Sequence, residues 1–235
     1  MKPTRTDESM CFLRKVYPQI IKEVKNKVVC DFGCGAGDQV IALRDAGARV
    51  VLGVDTNHKR IEECIRKSEG RKDVYFASSI GKSHKGIFDL VISQNSMEHF
   101  PSPHETLLEM KSLLKPHGNL LITFGPPWYA PYGAHMNFFT NVPWIHLIFP
   151  EKWIMAWRRK YRLDGAMRYA DVESGLNKMS ISKFEGLIKD GGMKVVYQKY
   201  CGLKDMDFLT KVPIVRELFI NHVTIMLENK TPEVL

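Results

Sequence analysis

The chain has 235 residues, 44% of them hydrophobic and 26% charged, with a formal net charge of +8. That balance fits one α/β domain with an elaboration and excludes disordered, collagen-like and disulfide-scaffold classes. No apolar run approaches the roughly 18 residues of a membrane span, and the opening MKPTRTDESM carries no apolar leader segment. Five cysteines (Cys11, Cys30, Cys34, Cys64, Cys201) show no metal-ligand spacing. Free thiols and a reducing, cytoplasmic setting are therefore expected, and the basic charge points to an anionic partner or surface.

In chain order, residues 10–25 read as an amphipathic helix with Phe12, Leu13, Val16, Ile20, Ile21 and Val24 on one side. It is expected to cover an edge of the sheet or the mouth of a ligand site. Val28, Val29 and Cys30 form a strand ending at Asp31, and Gly33, Gly35 and Gly37 follow in a D-x-G-x-G-x-G string that opens a helix over 38–46. Glycines let backbone approach a ligand closely, and free amides at a helix start attract polar groups. The spacing is neither the dinucleotide fingerprint G-x-G-x-x-G nor a P-loop, whose Lys-Ser/Thr is missing. A second strand over 49–54 ends in Asp55, about 20 residues past the glycines, the offset at which a carboxylate meets a ribose diol. Its two acceptor oxygens suit two vicinal hydroxyl donors.

A helix over 58–68 and a strand at 74–77 lead to Ser78-Ser79, and a strand at 88–93 leads to Gln94-Asn95-Ser96-Met97-Glu98-His99. A helix over 104–115, closed by Pro116 and Gly118, precedes a fifth strand at 119–124. After an irregular stretch from 125 to 178 come a helix at 180–190 and strands at 194–200 and 222–227. The alternation predicts an α/β fold with a doubly wound parallel sheet. With no internal repeat or linker, residues 1–235 are expected to form a single domain. The 125–178 stretch is too long for an ordinary connection, so it is expected to be a functional lid inserted after strand five.

The glycine string after a strand closing in Asp resembles motif I of the class I S-adenosylmethionine-dependent methyltransferases, of a methyltransferase type 11-like kind. FDLVIS similarly resembles the family's F-D-x-V/I pattern. The resemblance implies a Rossmann-like seven-stranded sheet whose last strand runs antiparallel. It implies S-adenosylmethionine as cofactor, held by Asp31, Gly33, Gly35, Gly37, Asp55 and Gln94. Family members usually place an acidic residue near the adenine after strand three; this chain has ASSIG, so Ser79 or Ser78 with backbone groups must serve.

A sulfonium is already a good leaving group, so transfer to a hydroxyl asks the protein to align the acceptor and remove its proton. His99 and His135 are the candidate bases, with Glu98 bracing the loop after strand four. Ubiquinone-pathway and small-RNA methyltransferases carry a metal-holding E-x-x-E-H at this point. Here Asn95-x-x-Glu98-His99 with His135 makes a mixed site for a divalent metal an open alternative, at lower charge. The string GPPWYAPYGAH resembles methyltransferases of sugars and polysaccharides, which implies a small-molecule, sugar or lipid-linked hydroxyl acceptor.

In KWIMAWRRKYR, Trp153, Ile154 and Trp157 share a helical face beside Arg158, Arg159, Lys160 and Arg162. This reads as a solvated basic face, an interfacial helix on an anionic membrane surface, or a clamp on a phosphorylated or nucleic-acid substrate. The rival functions are an RNA or nucleotide ribose O-methyltransferase with a divalent metal, and a non-catalytic cofactor-binding protein docking a partner or membrane.

Overall fold

The computed structural model describes residues 5–136, 138–172, 175–204, 206–213 and 215–230; the first four residues of the opening segment, read above as leaderless, lie outside them. The chain runs α1 (Arg5–Val16), α2 (Ile20–Val24), β1 (Val28–Phe32), α3 (Asp38–Asp45), β2 (Val50–Val54), α4 (His58–Lys67) and β3 (Val74–Ala77). It continues through β4 (Phe88–Gln94), α5 (Pro103–Leu113), β5 (Leu114–Phe124), α6 (Ile145–Ile148) and α7 (Glu151–Arg158). It closes with α8 (Ile181–Asp190), β6 (Lys194–Gly202), α9 (Arg216–Phe219) and β7 (Ile220–Glu228).

The helix expected over 10–25 is two helices. Pro18 has no N–H to donate and pushes Tyr17 out of helical backbone, so the chain turns before Ile20. Leu13, Ile20 and Val24 are fully buried against Val40 and Leu43 of α3 and Val29 of β1. The pair therefore covers a face of the sheet rather than its edge.

The sheet has seven strands in the order β3-β2-β1-β4-β5-β7-β6. The β3-β2-β1-β4-β5 pairs are parallel, and β7 enters antiparallel between β5 and β6. This is the doubly wound, seven-stranded arrangement expected from the sequence. One face packs on α5 and α8, where Leu107, Met110, Phe124, Phe184 and Ile188 interlock; the other packs on α1–α3. β5 begins earlier than expected, at Leu114 rather than 119. Leu114 pairs with Phe88, and an irregularity between Phe88 and Leu90 absorbs the turn at Pro116–Gly118.

The segment from 125 to 180 builds a third, smaller cluster from Ala134, Met136, Ile154, Met155, Tyr169 and Leu176, with Trp128 and Phe149 against it. Tyr129, by contrast, is exposed. Arg158 does not belong to the solvated basic face expected of 152–162. It is buried, and both its terminal nitrogens bond the Asp164 carboxylate, at 2.6 and 2.5 Å.

Candidate active site

The parallel strands leave β1 in two directions, to β2 on one side and to β4 on the other. At such a switch point the connections diverge and leave a crevice beyond the strands' carboxyl ends. The glycine loop after β1 occupies it. Gly33 and Cys34 donate their amides to the Val54 carbonyl at 2.8 and 2.9 Å, which ties the loop to the end of β2. Gly35, at φ +52, has nothing within 4 Å of where a Cβ would project, so its backbone faces open space. Gly37, at φ +73, is different: a Cβ there would meet Cys64 Sγ and Phe76 at 2.8 Å. Gly37 is needed for packing inside the protein, and Gly33 likewise makes room for Ser96.

Asp55 accepts from the Gly35 amide (2.9 Å) through one oxygen and from the Asn57 amide (2.9 Å) through the other. Each oxygen keeps a further lone pair for a hydroxyl donor. Asp31 lies inside β1 rather than at its end, and is 2% exposed. Gln39 Nε2 donates to its Oδ1 at 2.8 Å, while Oδ2 and the nearby Gln94 Oε1 are buried acceptors with no partner among the described residues. Burial pushes the Asp31 carboxyl up to about 7, with the Asp55 charge adding to the rise and the Gln39 bond opposing it. A cleft of about 170 Å³ is lined by Asp31, Gly33, Cys34, Ala36, Asp38, Gln39 and Gln94.

These features fit S-adenosylmethionine. Unpaired acidic and amide oxygens await a donor such as its ammonium group, Gly35 leaves the backbone approachable, and Asp55 can take the ribose hydroxyls. Asp38 and Gln39 line the cleft without having been singled out in the sequence. The signal was there: Gln39 is a polar residue next to Val40-Ile41-Ala42, which are all buried. Ser79 sits exposed just past β3 and is not among the cleft-lining residues.

The loop after β4 lies over the glycines. An added Cβ at Gly33 would come within 3.8 Å of Phe100, and Phe100 packs edge-on to Phe32 at 5.8 Å. Asn177, also unremarked in the sequence, clips this loop to the 125–180 segment. Its side-chain nitrogen donates to the Met97 and Phe100 carbonyls, each at 2.8 Å, and its amide donates to the Glu98 carbonyl.

His99 and His135 meet edge to face with ring centroids 5.5 Å apart. The Gly175 carbonyl lies 2.7 Å from His99 Nδ1, so that nitrogen carries the proton and Nε2 is left as the basic site. His135, at φ +55, follows the turn in which Gly133 passes so close to the Trp128 carbonyl that a Cβ would collide with it. Burial, and then the neighbouring His99, push His135 down to about 4, and its Nε2 is buried with no partner among the described residues. Glu98 is buried, takes the Gly125 amide on one oxygen at 3.4 Å and has no partner for the other among the described residues; burial raises its carboxyl.

The structure thus draws Glu98, His99 and His135 to one place, but not as a metal site. Asn95 turns outward, exposed at φ +50. Among the described residues no three His, Cys, Asp or Glu side chains converge on a common point. The described residues thus do not assemble the four-residue set into a divalent-ion site.

Sheet order and the glycine loop at the switch point together define the class I S-adenosylmethionine-dependent methyltransferase architecture. Residues 8–198 match the family described as a methyltransferase domain, and the chain belongs to that family. It is 30% identical over 107 residues to the tRNA U34 carboxymethyltransferase of Hahella chejuensis, covering 43% of this chain and 33% of that protein. It is 30% identical over 102 residues to the ubiquinone biosynthesis O-methyltransferase of Aromatoleum aromaticum, covering 41% of this chain and 43% of that protein. The chain therefore spans well under half the length of these curated relatives. An S-adenosylmethionine-dependent methyltransferase of Mesorhizobium loti shares the fold, with a TM-score of 0.60, 16% identity and coverage of 90% and 96% of the two chains.

Proposed function

We propose that this protein is a single-domain enzyme that transfers the methyl group of S-adenosylmethionine to a hydroxyl of a sugar or glycan-like acceptor, free or lipid-linked. The acceptor would lie between the glycine cleft and the 125–178 segment, which acts as a cap. The observation that carries this reading is the contact of His99 and His135 over the loop that follows β4. Neutral imidazole is the side chain suited to taking a hydroxyl proton near neutral pH. His99 Nε2, oriented through the Gly175 carbonyl, and His135 Nε2, buried with no partner among the described residues, are the two imidazole acceptors at this place. The cofactor itself supplies an electrophilic methyl on a good leaving group. The residues bind it, orient the acceptor and hold the departing proton.

Labelled S-adenosylmethionine incubated with fractionated cell extract identifies the acceptor by the labelled product. With that acceptor, His135→Ala and His99→Ala are expected to leave cofactor affinity nearly intact. One of the two should lower turnover by about 10²–10⁴, the usual worth of a positioned base. Full turnover in both variants would remove this reading.

A second reading, methylation of an RNA nucleoside, is favoured by the net charge of +8 and by the tRNA relative. It predicts acceptor binding that falls steeply with salt. The glycan reading predicts little salt dependence for an uncharged sugar.

A further inference from the structure

The surface between residues 138 and 163 is strongly apolar for one open to water. Leu163 is 97% exposed, Ile148 63%, Tyr161 59% and Trp153 51%. Its aromatic rings fall into two packed groups. Phe149 packs on Trp153 and Trp157, with ring centroids at 6.3 and 5.3 Å, while Phe139 stacks on Tyr161 at 5.4 Å and touches Phe138. Arg158, next to Trp157 in α7, joins the two groups by lying 5.9 Å from the Phe138 ring centre.

Exposed patches of this kind mark interaction sites, and the charges around this one say which kind. Lys152, Arg159, Lys160 and Arg162 are exposed, and none is in an ion pair among the described residues. Arg162 sits 4.9 Å from the Phe138 ring centre, so one of these cations stands directly on an aromatic surface. The nearby acids are already spent. Asp164 holds Arg158, which keeps its carboxyl down to about 2, and Glu151 holds Lys178 at 2.7 Å. The outward face thus presents tryptophan, tyrosine and aliphatic side chains among unpaired cations. Amphipathic aromatic rings favour the headgroup level of a bilayer, and Lys and Arg near its surface are drawn to anionic lipid.

We propose that the 138–163 face docks the protein on an anionic lipid bilayer, with Ile148, Trp153 and Leu163 entering the interface. A protein partner would have to supply an acidic, apolar groove, whereas an anionic bilayer offers both properties over any area. Docking rests on the function proposed above only for its purpose, which is to reach an acceptor held at the membrane. Its test reads lipid binding alone, so the two readings fail separately.

The test is sedimentation of the full chain with phosphatidylcholine vesicles, with and without phosphatidylglycerol. Sedimentation with the anionic vesicles only is expected. Arg159→Gln/Lys160→Gln/Arg162→Gln should weaken it by roughly 100-fold, from about 1 kcal/mol for each cation. Ile148→Ser/Trp153→Ser should abolish it, with cofactor affinity by calorimetry unchanged in both variants. All five positions are exposed, so the fold is not at stake. Absence of binding to either vesicle, or undiminished binding by the charge variant, would overturn the proposal. So would a dimer in gel filtration that the Ile148→Ser/Trp153→Ser variant loses, because the face would then be covered by a second copy.

Discussion

Asp31 shows how one residue trades stability for a ligand. Its carboxyl is buried with one oxygen unpaired and is held up at about 7. The folded state therefore keeps a proton that the unfolded state has lost between pH 4 and 7, and stability falls as pH rises through that window. Asp31→Asn removes the charge and keeps an acceptor for Gln39. It should raise the melting temperature above pH 7 by a few degrees, on the order of 1–3 kcal/mol, while weakening S-adenosylmethionine binding. In the wild type, affinity should rise with pH through about 7, as the carboxylate that faces the ammonium ionises. A variant that is less stable at pH 8, or that binds the cofactor as well as the wild type, would sink this account.

His135 carries a different pH signature. An ordinary histidine base would make turnover climb near pH 6.5. With its ring held down at about 4, the basic form is already complete well below neutrality. If His135 is the base, turnover should fall only as pH drops toward 4 and should be flat from pH 6 to 8. Turnover that climbs near pH 6.5 instead, or that is unchanged in His135→Ala, would rule out His135 as the base.

At the scale of the element, the glycine loop separates into two functions that look identical in the sequence. Gly35 faces open space, whereas Gly37 is wedged between Cys64 and Phe76. Gly35→Ala meets no atom and should cost only the left-handed backbone penalty, about 1–2 kcal/mol. If the cofactor approaches the loop backbone at Gly35, the new methyl should still lower its affinity tenfold or more, about 1.4 kcal/mol. Gly37→Ala adds overpacking to the same penalty, about 1–3 kcal/mol more, so it should be much the less stable of the two. Melting curves and calorimetry on the pair check this. Equal melting temperatures would show that the loop relaxes.

For the whole molecule, the ligand site joins elements far apart in sequence: the ends of β1, β2 and β4, and the loop that Asn177 clips from the far side. A ligand bound there must stabilise the native state as a unit. S-adenosylhomocysteine at about 100 times its Kd should add about 2.7 kcal/mol, a rise of roughly 5–10 °C for a chain of this size. Asp55→Ala should show a smaller rise at the same concentration, because its carboxylate holds the Gly35 amide and is the acceptor expected to meet the ribose. No rise in the wild type would remove the cofactor site. Among the described residues no helix is long and apolar enough to cross a membrane, so the bilayer contact proposed for residues 138–163 is one of surface.

The sequence by itself determined the α/β alternation, the glycine loop and Asp55, because each is written in a local pattern. Strand runs of Val and Ile, glycines where the backbone must turn, and an acid at a strand end all act within a few residues of themselves. Other features arose only when distant segments met. The burial that lifts Asp31 comes from both faces of a sheet assembled across the chain, and the break at Pro18 gained its meaning only from the helical face it swings onto the sheet. The pairing of Arg158 with Asp164 took a cation that sequence spacing had assigned to solvent. Asn95, Glu98, His99 and His135 read as a ligand set along the chain, yet Asn95 turns outward and the described side chains do not converge as a cluster. Periodicity encodes which side of an element faces inward. Desolvation, pairing and convergence depend on what the rest of the chain brings to that side, and only the tertiary structure decides them.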